Sequence, residues 1–138
     1  SATKVAYKDF AHSPSKVAAT TKAVKAQYPD RKLVACLELH TYSSLNAEFL
    51  KEYQGALDAA DVAVVFYSPD AVKIKRLEEV TYDQIAQSFQ REDLIIYTNP
   101  TEFKDFLFSQ NLENSALLLM SSGNYGGLNF DEVKGLIN

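Results

Sequence analysis

Four short runs carry apolar residues on both faces: residues 33–39, 62–67, 94–97 and 116–120. A half-exposed strand alternates apolar and polar side chains, whereas a strand covered on both faces does not. A chain with several such runs must supply helices to cover them. The segments between the runs do this. Val17, Thr21, Val24 and Tyr28 recur at helical spacing after Ser13-Pro14, a cap followed by proline at the first helical position. Tyr28-Pro29-Asp30 ends that helix.

The remaining segments follow the same rule. A first strand is predicted over 3–8, with Val5 and Tyr7 on one face. A second helix is predicted from near Ser44, with Leu45, Phe49, Tyr53, Ala56 and Ala60 inward. Residues 69–79 read as a charged, exposed excursion, after which Thr81 caps a short helix bearing Tyr82, Ile85 and Phe89. Asn99-Pro100-Thr101-Glu102 is a cap, a proline and a carboxylate three residues on, ahead of Phe103, Phe106 and Leu107. Asn129 caps a last helix, and Asp131 and Glu132 suit the positive end of its dipole. Strand and helix alternate throughout. The expected architecture is therefore α/β: a Rossmann-like, three-layer domain with a mostly parallel sheet of about five to six strands and helices on both faces.

Composition narrows the function. A chain of 138 residues is one domain, residues 1–138. Its net charge is −4 and it has no dense Lys/Arg stripe, which argues against nucleic acid as a partner. No stretch approaches the ~18 apolar residues of a membrane span. The single cysteine, Cys36, forbids an internal disulfide and fits a reducing, cytoplasmic setting. The single methionine is Met120, so the expectation is a domain cut from a longer chain.

In parallel sheets ligands sit at the carboxyl ends of the strands. That rule selects four loops: 9–13, 40–44, 68–70 and 121–127. The first offers Asp9, Phe10 and His12, a carboxylate able to accept from a ribose diol beside a ring and an imidazole. A capping carboxylate with a surface histidine explains the same residues. The second loop gathers His40, Thr41, Tyr42, Ser43 and Ser44. His12 and His40 are the only histidines, and they share an edge if their strands are neighbours. The last loop holds three of the five glycines, so its backbone can turn N–H groups toward a ligand or simply turn. No metal-ligand spacing, nucleophile elbow or Gly-Lys-Ser/Thr phosphate loop is present, so no catalytic residue and no metal ligand is assigned.

Asp9-Phe10-Ala11-His12-Ser13-Pro14 resembles the Asp-Tyr-Ala-His-x-Pro motif that opens the C-terminal domain of the Mur ligases. The segment from Tyr28 to Ala35 resembles the approach to that domain's next strand. Leu39-His40-Thr41-Tyr42-Ser43 resembles the Pro-His-[Arg/Thr]-Tyr-[Ser/Thr] stretch of the UDP-N-acetylmuramate ligases. Leu118-Leu119-Met120-Ser121-Ser122-Gly123-Asn124 resembles their terminal Met-Gly-Ala-Gly-Asp turn. The matches run in order over nearly the whole chain. Ser44 stands where the L-alanine-adding branch has an arginine, which favours the muropeptide branch. That branch joins UDP-N-acetylmuramate to the tripeptide L-alanyl-γ-D-glutamyl-meso-diaminopimelate, an acceptor with no carboxylate beside its attacking amine.

The resemblance implies an ATP-dependent amide-forming ligase acting through an acyl phosphate in peptidoglycan recycling, with this domain delivering the acceptor. It implies Asp9, Phe10 and His12 at the nucleotide, with Phe10 where the motif has tyrosine. It implies His40, Thr41, Tyr42, Ser44, Ser121, Gly123 and Asn124 at the acceptor peptide, although Ser121 and Asn124 replace the family's glycine and aspartate. ATP and Mg²⁺ belong to the full-length enzyme and none is expected in this fragment alone, which is expected to be inactive. The partners implied are the N-terminal and central domains of the same chain. Two alternatives stand beside this: the same domain of the L-alanine-adding enzyme, and a non-catalytic module binding a nucleotide or sugar phosphate.

Overall fold

The computed structural model describes residues 4–11, 13–39, 51–67, 82–91, 93–121, 123, 125 and 127–136, with 82–84 as backbone. The chain runs β1 (Lys4–Asp9), α1 (Pro14–Gln27), β2 (Lys32–Glu38), a 3₁₀ turn (Lys51–Tyr53) and β3 (Val62–Phe66). It continues with α2 (Tyr82–Phe89), β4 (Ile95–Tyr97), α3 (Pro100–Ser109), β5 (Ser115–Met120) and α4 (Phe130–Lys134). The described strands form one sheet in the order β1-β5-β2-β3-β4. Every pairing is parallel.

The apolar runs are buried as their pattern requires. In β2, Leu33, Ala35 and Leu37 face one layer, packed with Val17 and Val24 of α1 and with Ile85 and Phe89 of α2. Val34 and Cys36 face the other, packed with Phe103 and Leu107 of α3 and Val133 of α4. Helices thus cover both faces of a five-stranded parallel sheet, the expected three-layer arrangement.

The caps divide into two kinds. Asn99 Oδ1 accepts from the N–H groups of Thr101 and Glu102 at 2.8 and 3.2 Å, and Asn129 Oδ1 accepts from Asp131 N–H at 2.9 Å. Ser13 precedes α1 in extended conformation but makes no side-chain cap bond.

The helix expected from Ser44 is corrected in part. Residues 44–50, Leu45 and Phe49 among them, lie outside the described residues. Tyr53, Ala56 and Ala60 are buried as anticipated, yet they sit on a 3₁₀ turn and further turns. Gly55 explains the break: its φ of +75° is left-handed, which a right-handed helix cannot contain. The charged stretch 69–79 and the cap at Thr81 also lie outside the described residues.

Candidate functional site

The strand order sets which carboxyl ends meet. Asp9 of β1 pairs with Met120 of β5, Leu37 of β2 pairs with the same Met120, and Glu38 pairs with Phe66 of β3. The ends of β1, β5, β2 and β3 therefore form one continuous rim. β5 lies between β1 and β2, so the strands leading to His12 and His40 are not neighbours and the condition for a shared edge through adjacent strands is not met. His12, His40, Thr41, Tyr42, Ser44 and Asn124 lie outside the described residues.

At the end of β1, Asp9 turns its carboxylate back on its own loop. Asp9 Oδ1 accepts from Ala11 N–H at 2.7 Å, closing a turn that buries Ala11. Phe10 is 70% exposed, an unusual position for a large apolar ring. The β1 end is also tied to β5, since Ser121 N–H donates to the Asp9 carbonyl at 3.0 Å. A cavity of about 530 Å³ opens beside this loop, between Ser13, Pro14 and Ala18 and the turn at Glu52, Gln54 and Gly55.

The end of β5 is organised by a residue the sequence reading did not single out. Glu38 is 3% exposed at the end of the central strand β2. Its Oε1 accepts from Ser121 Oγ–H at 2.5 Å and from Tyr125 N–H at 2.9 Å. Ser121 Oγ accepts in turn from Gly123 N–H at 2.7 Å. The Tyr125 ring enters the core, stacked on Phe103 at 4.9 Å between centroids. Its hydroxyl lies 2.7 Å from the Met120 carbonyl and 2.9 Å from that of Cys36. One phenolic proton serves both acceptors. Burial, with the Cys36 and Glu38 groups beside it, pushes the Tyr125 phenol well above its ordinary value.

Ser121, expected at the acceptor, has its side chain 4% exposed and engaged with Glu38. Gly123, half-buried, stays at the rim with its N–H committed to Ser121. A signal for Glu38 was present: a carboxylate is rarely buried without partners, and Glu38 interrupts the otherwise apolar run 33–39. The role of Tyr125, which adopts a φ of +56°, had no local signal.

The described residues carry an exposed ring at Phe10 next to the Asp9 carboxylate at the end of β1. They hold no group of three or more His, Cys, Asp or Glu side chains that could bind a metal ion. Among them, no helix is long and apolar enough to cross a membrane.

No family model matches the chain. Curated relatives do. The UDP-N-acetylmuramate–L-alanine ligase of a Sulfurihydrogenibium species is 29% identical over 119 residues, covering 83% of this chain and 25% of the relative. The enzyme of the same name from Lactococcus lactis is 31% identical over 88 residues, covering 64% and 20%. That of Agathobacter rectalis is 29% identical over 128 residues, covering 91% and 27%. The chain thus spans about a quarter of the length of these relatives. Solved structures share the fold. A murein peptide ligase from Psychrobacter arcticus has a TM-score of 0.72 at 16% identity, over 97% of this chain and 28% of that one. A domain described as from a UDP-N-acetylmuramate:L-alanyl-γ-D-glutamyl-meso-diaminopimelate ligase of Haemophilus ducreyi has a TM-score of 0.60 at 24% identity, over 95% and 89%.

Proposed function

We propose that this chain, a C-terminal domain of the Mur ligase family, delivers the amine-bearing acceptor in an ATP-dependent ligation of UDP-N-acetylmuramate. The observation that carries the reading is the likeness to UDP-N-acetylmuramate ligases over 83 to 91% of the chain. The Asp9 and Ser121 loops stand side by side on the rim, because β5 pairs directly with β1.

ATP supplies the activation of the muramate carboxylate as an acyl phosphate, on domains outside this chain. The part of this chain is to bind, orient and exclude water. Asp9 has one carboxylate oxygen engaged by Ala11 N–H. An ionised carboxylate has about four lone-pair sites, so capacity for a ribose hydroxyl remains. Phe10 offers a ring face for stacking and, lacking the family's hydroxyl, no hydrogen bond. By resemblance, His12 stands at the nucleotide and His40, Thr41, Tyr42, Ser44 and Asn124 face the acceptor, with Gly123 at the loop backbone. Closure of the domain shields the acyl phosphate from hydrolysis while the amine attacks. No metal ligand is assigned here, and magnesium accompanies ATP on the other domains.

For the acceptor, the first reading is a murein tripeptide, supported by Ser44 in place of the arginine that the L-alanine-adding branch carries. The second is L-alanine, supported by the names of the curated relatives. The full-length ligase, assayed for phosphate release with UDP-N-acetylmuramate and each acceptor, separates them. Turnover with the tripeptide and not with L-alanine is the expected result. The reverse selects the second reading, and turnover with neither overturns both. The 138-residue chain by itself is expected to show no ligation; robust ligation by it would overturn the assignment of chemistry to other domains.

A further inference from the structure

We propose that Glu38 is a positioning residue for the acceptor-facing loop 121–127, an inference that rests on the function proposed above. Glu38 ends the central strand β2, where its backbone is held by pairing with β3. One carboxylate oxygen, Oε1, takes both the Ser121 hydroxyl and the Tyr125 N–H. The Ser121 hydroxyl then takes Gly123 N–H. Ser121, Gly123 and Tyr125, three of the four described residues of loop 121–127, are thus tied directly or in relay to one buried side chain.

The anchoring has a chemical logic. A buried carboxylate demands donors. Two donors from this loop, the Ser121 hydroxyl and the Tyr125 N–H, meet Oε1, so the loop backbone is held where the acid's requirement places it. Tyr125 illustrates the force of the selection, holding a left-handed φ of +56° that a bulky residue ordinarily avoids. Its ring is stacked on Phe103 in the core. A loop held by a carboxylate at Ser121 and Tyr125 N–H and by a buried ring at Tyr125 presents one backbone geometry to a ligand and loses little freedom on binding. Glu38 makes this contribution through Ser121 and Tyr125.

The test uses two variants and two readouts. Glu38→Gln keeps an oxygen able to accept from Ser121 and Tyr125, while Glu38→Leu removes it. In the 138-residue chain, hydrogen exchange at the Gly123 and Tyr125 amides should accelerate at least about tenfold in Glu38→Leu, because the acceptor that holds Tyr125 N–H directly and Gly123 N–H through Ser121 is gone. Exchange in β2 and β5 should rise by less, and Glu38→Gln should stay near wild type. A uniform rise over the sheet, or none in the loop, overturns the anchoring. If Glu38→Leu does not fold, Ser121→Ala replaces it and should free the Gly123 amide alone. In a full-length ligase carrying this domain, Glu38→Leu should raise KM for the acceptor about tenfold and leave KM for ATP unchanged. A fall in kcat at constant acceptor KM overturns the positioning role. Absence of ligation by the wild-type ligase overturns the proposed function instead, and the exchange pattern still decides the anchoring.

Discussion

Ser121 and Glu38, 83 residues apart in sequence, are joined by a buried hydrogen bond of 2.5 Å from the serine hydroxyl to the glutamate carboxylate. Ser121 also receives Gly123 N–H. Removing the hydroxyl strips a donor from a buried carboxyl group and an acceptor from a backbone amide. Ser121→Ala is therefore expected to destabilise the chain by about 1–3 kcal/mol. Chemical denaturation checks this, and a loss under about 0.5 kcal/mol would mean that water or another group replaces the hydroxyl without cost.

Alkaline pH should unfold the chain earlier than its net charge suggests. Burial pushes up the Cys36 thiol, the Tyr53 hydroxyl and the Tyr125 hydroxyl, from ordinary values of 9.0 for the thiol and 10.0 for the phenols. In each case the unfolded chain releases its proton at lower pH than the folded one. Stability is then full below about pH 9 and falls as pH rises, by about 1.4 kcal/mol per pH unit for each group in its window. Urea midpoints from pH 7 to 11 should bend downward near pH 9 in the wild type. Cys36→Ala should move the bend to near pH 10, and an unmoved bend would assign the onset to other groups.

The acid limb depends on Asp61. Burial alone would raise its carboxyl, but hydrogen bonds from Lys25 Nζ at 2.8 Å and Leu33 N–H at 2.7 Å hold it below the usual value. A depressed folded value contributes stability that is present above about pH 4 and is lost as pH falls. The Asp61 side chain is 45% exposed, so solvent screening keeps the Lys25 contribution below about 1 kcal/mol. Lys25→Met should lower the denaturation midpoint at pH 7 by that small amount and by less at pH 2.5. An equal loss at both pH values would show that Lys25 acts through packing or through its bond to the Arg31 carbonyl.

The helix caps give a paired prediction. Asn99→Ala removes an oxygen that accepts from two amides and should cost about 1 kcal/mol. Ser13→Ala removes no side-chain cap bond and should change stability by less than about 0.5 kcal/mol. Thermal melts of the two variants side by side measure the contrast, and equal losses would contradict it.

These cases mark what could be read from sequence. The buried strands at 33–39 and 116–120 were legible because no other element buries apolar side chains on both faces over so few residues. Asn99 was legible because a cap, its proline and its acid lie within four positions. Where a feature depends on residues distant in the chain, local pattern fails. Glu38 was readable only as an anomaly, since its meaning lies in Ser121 and Tyr125. Ser121 was placed at the acceptor by resemblance, and its bond to Glu38, 83 residues away, had no local signal. The helix expected through Ala56 and Ala60 failed because the inward spacing survives in a chain of turns, while Gly55 had already left the helical region.

The place of β5 between β1 and β2 has a further meaning for the order of events on the ribosome. The first strand finds its neighbour only in the last, since β1 pairs with β5 among the described strands. A nascent chain that has emerged through β4 can join β2, β3 and β4, but it leaves β1 and one side of β2 without partners. Cooperative closure of the sheet waits for residues 115–120, and the long loop that closes then slows folding. Until that moment β1 and the β5-facing side of β2, the latter bearing Leu33, Val34 and Leu37, lack their strand partner, the kind of surface that chaperones guard during synthesis.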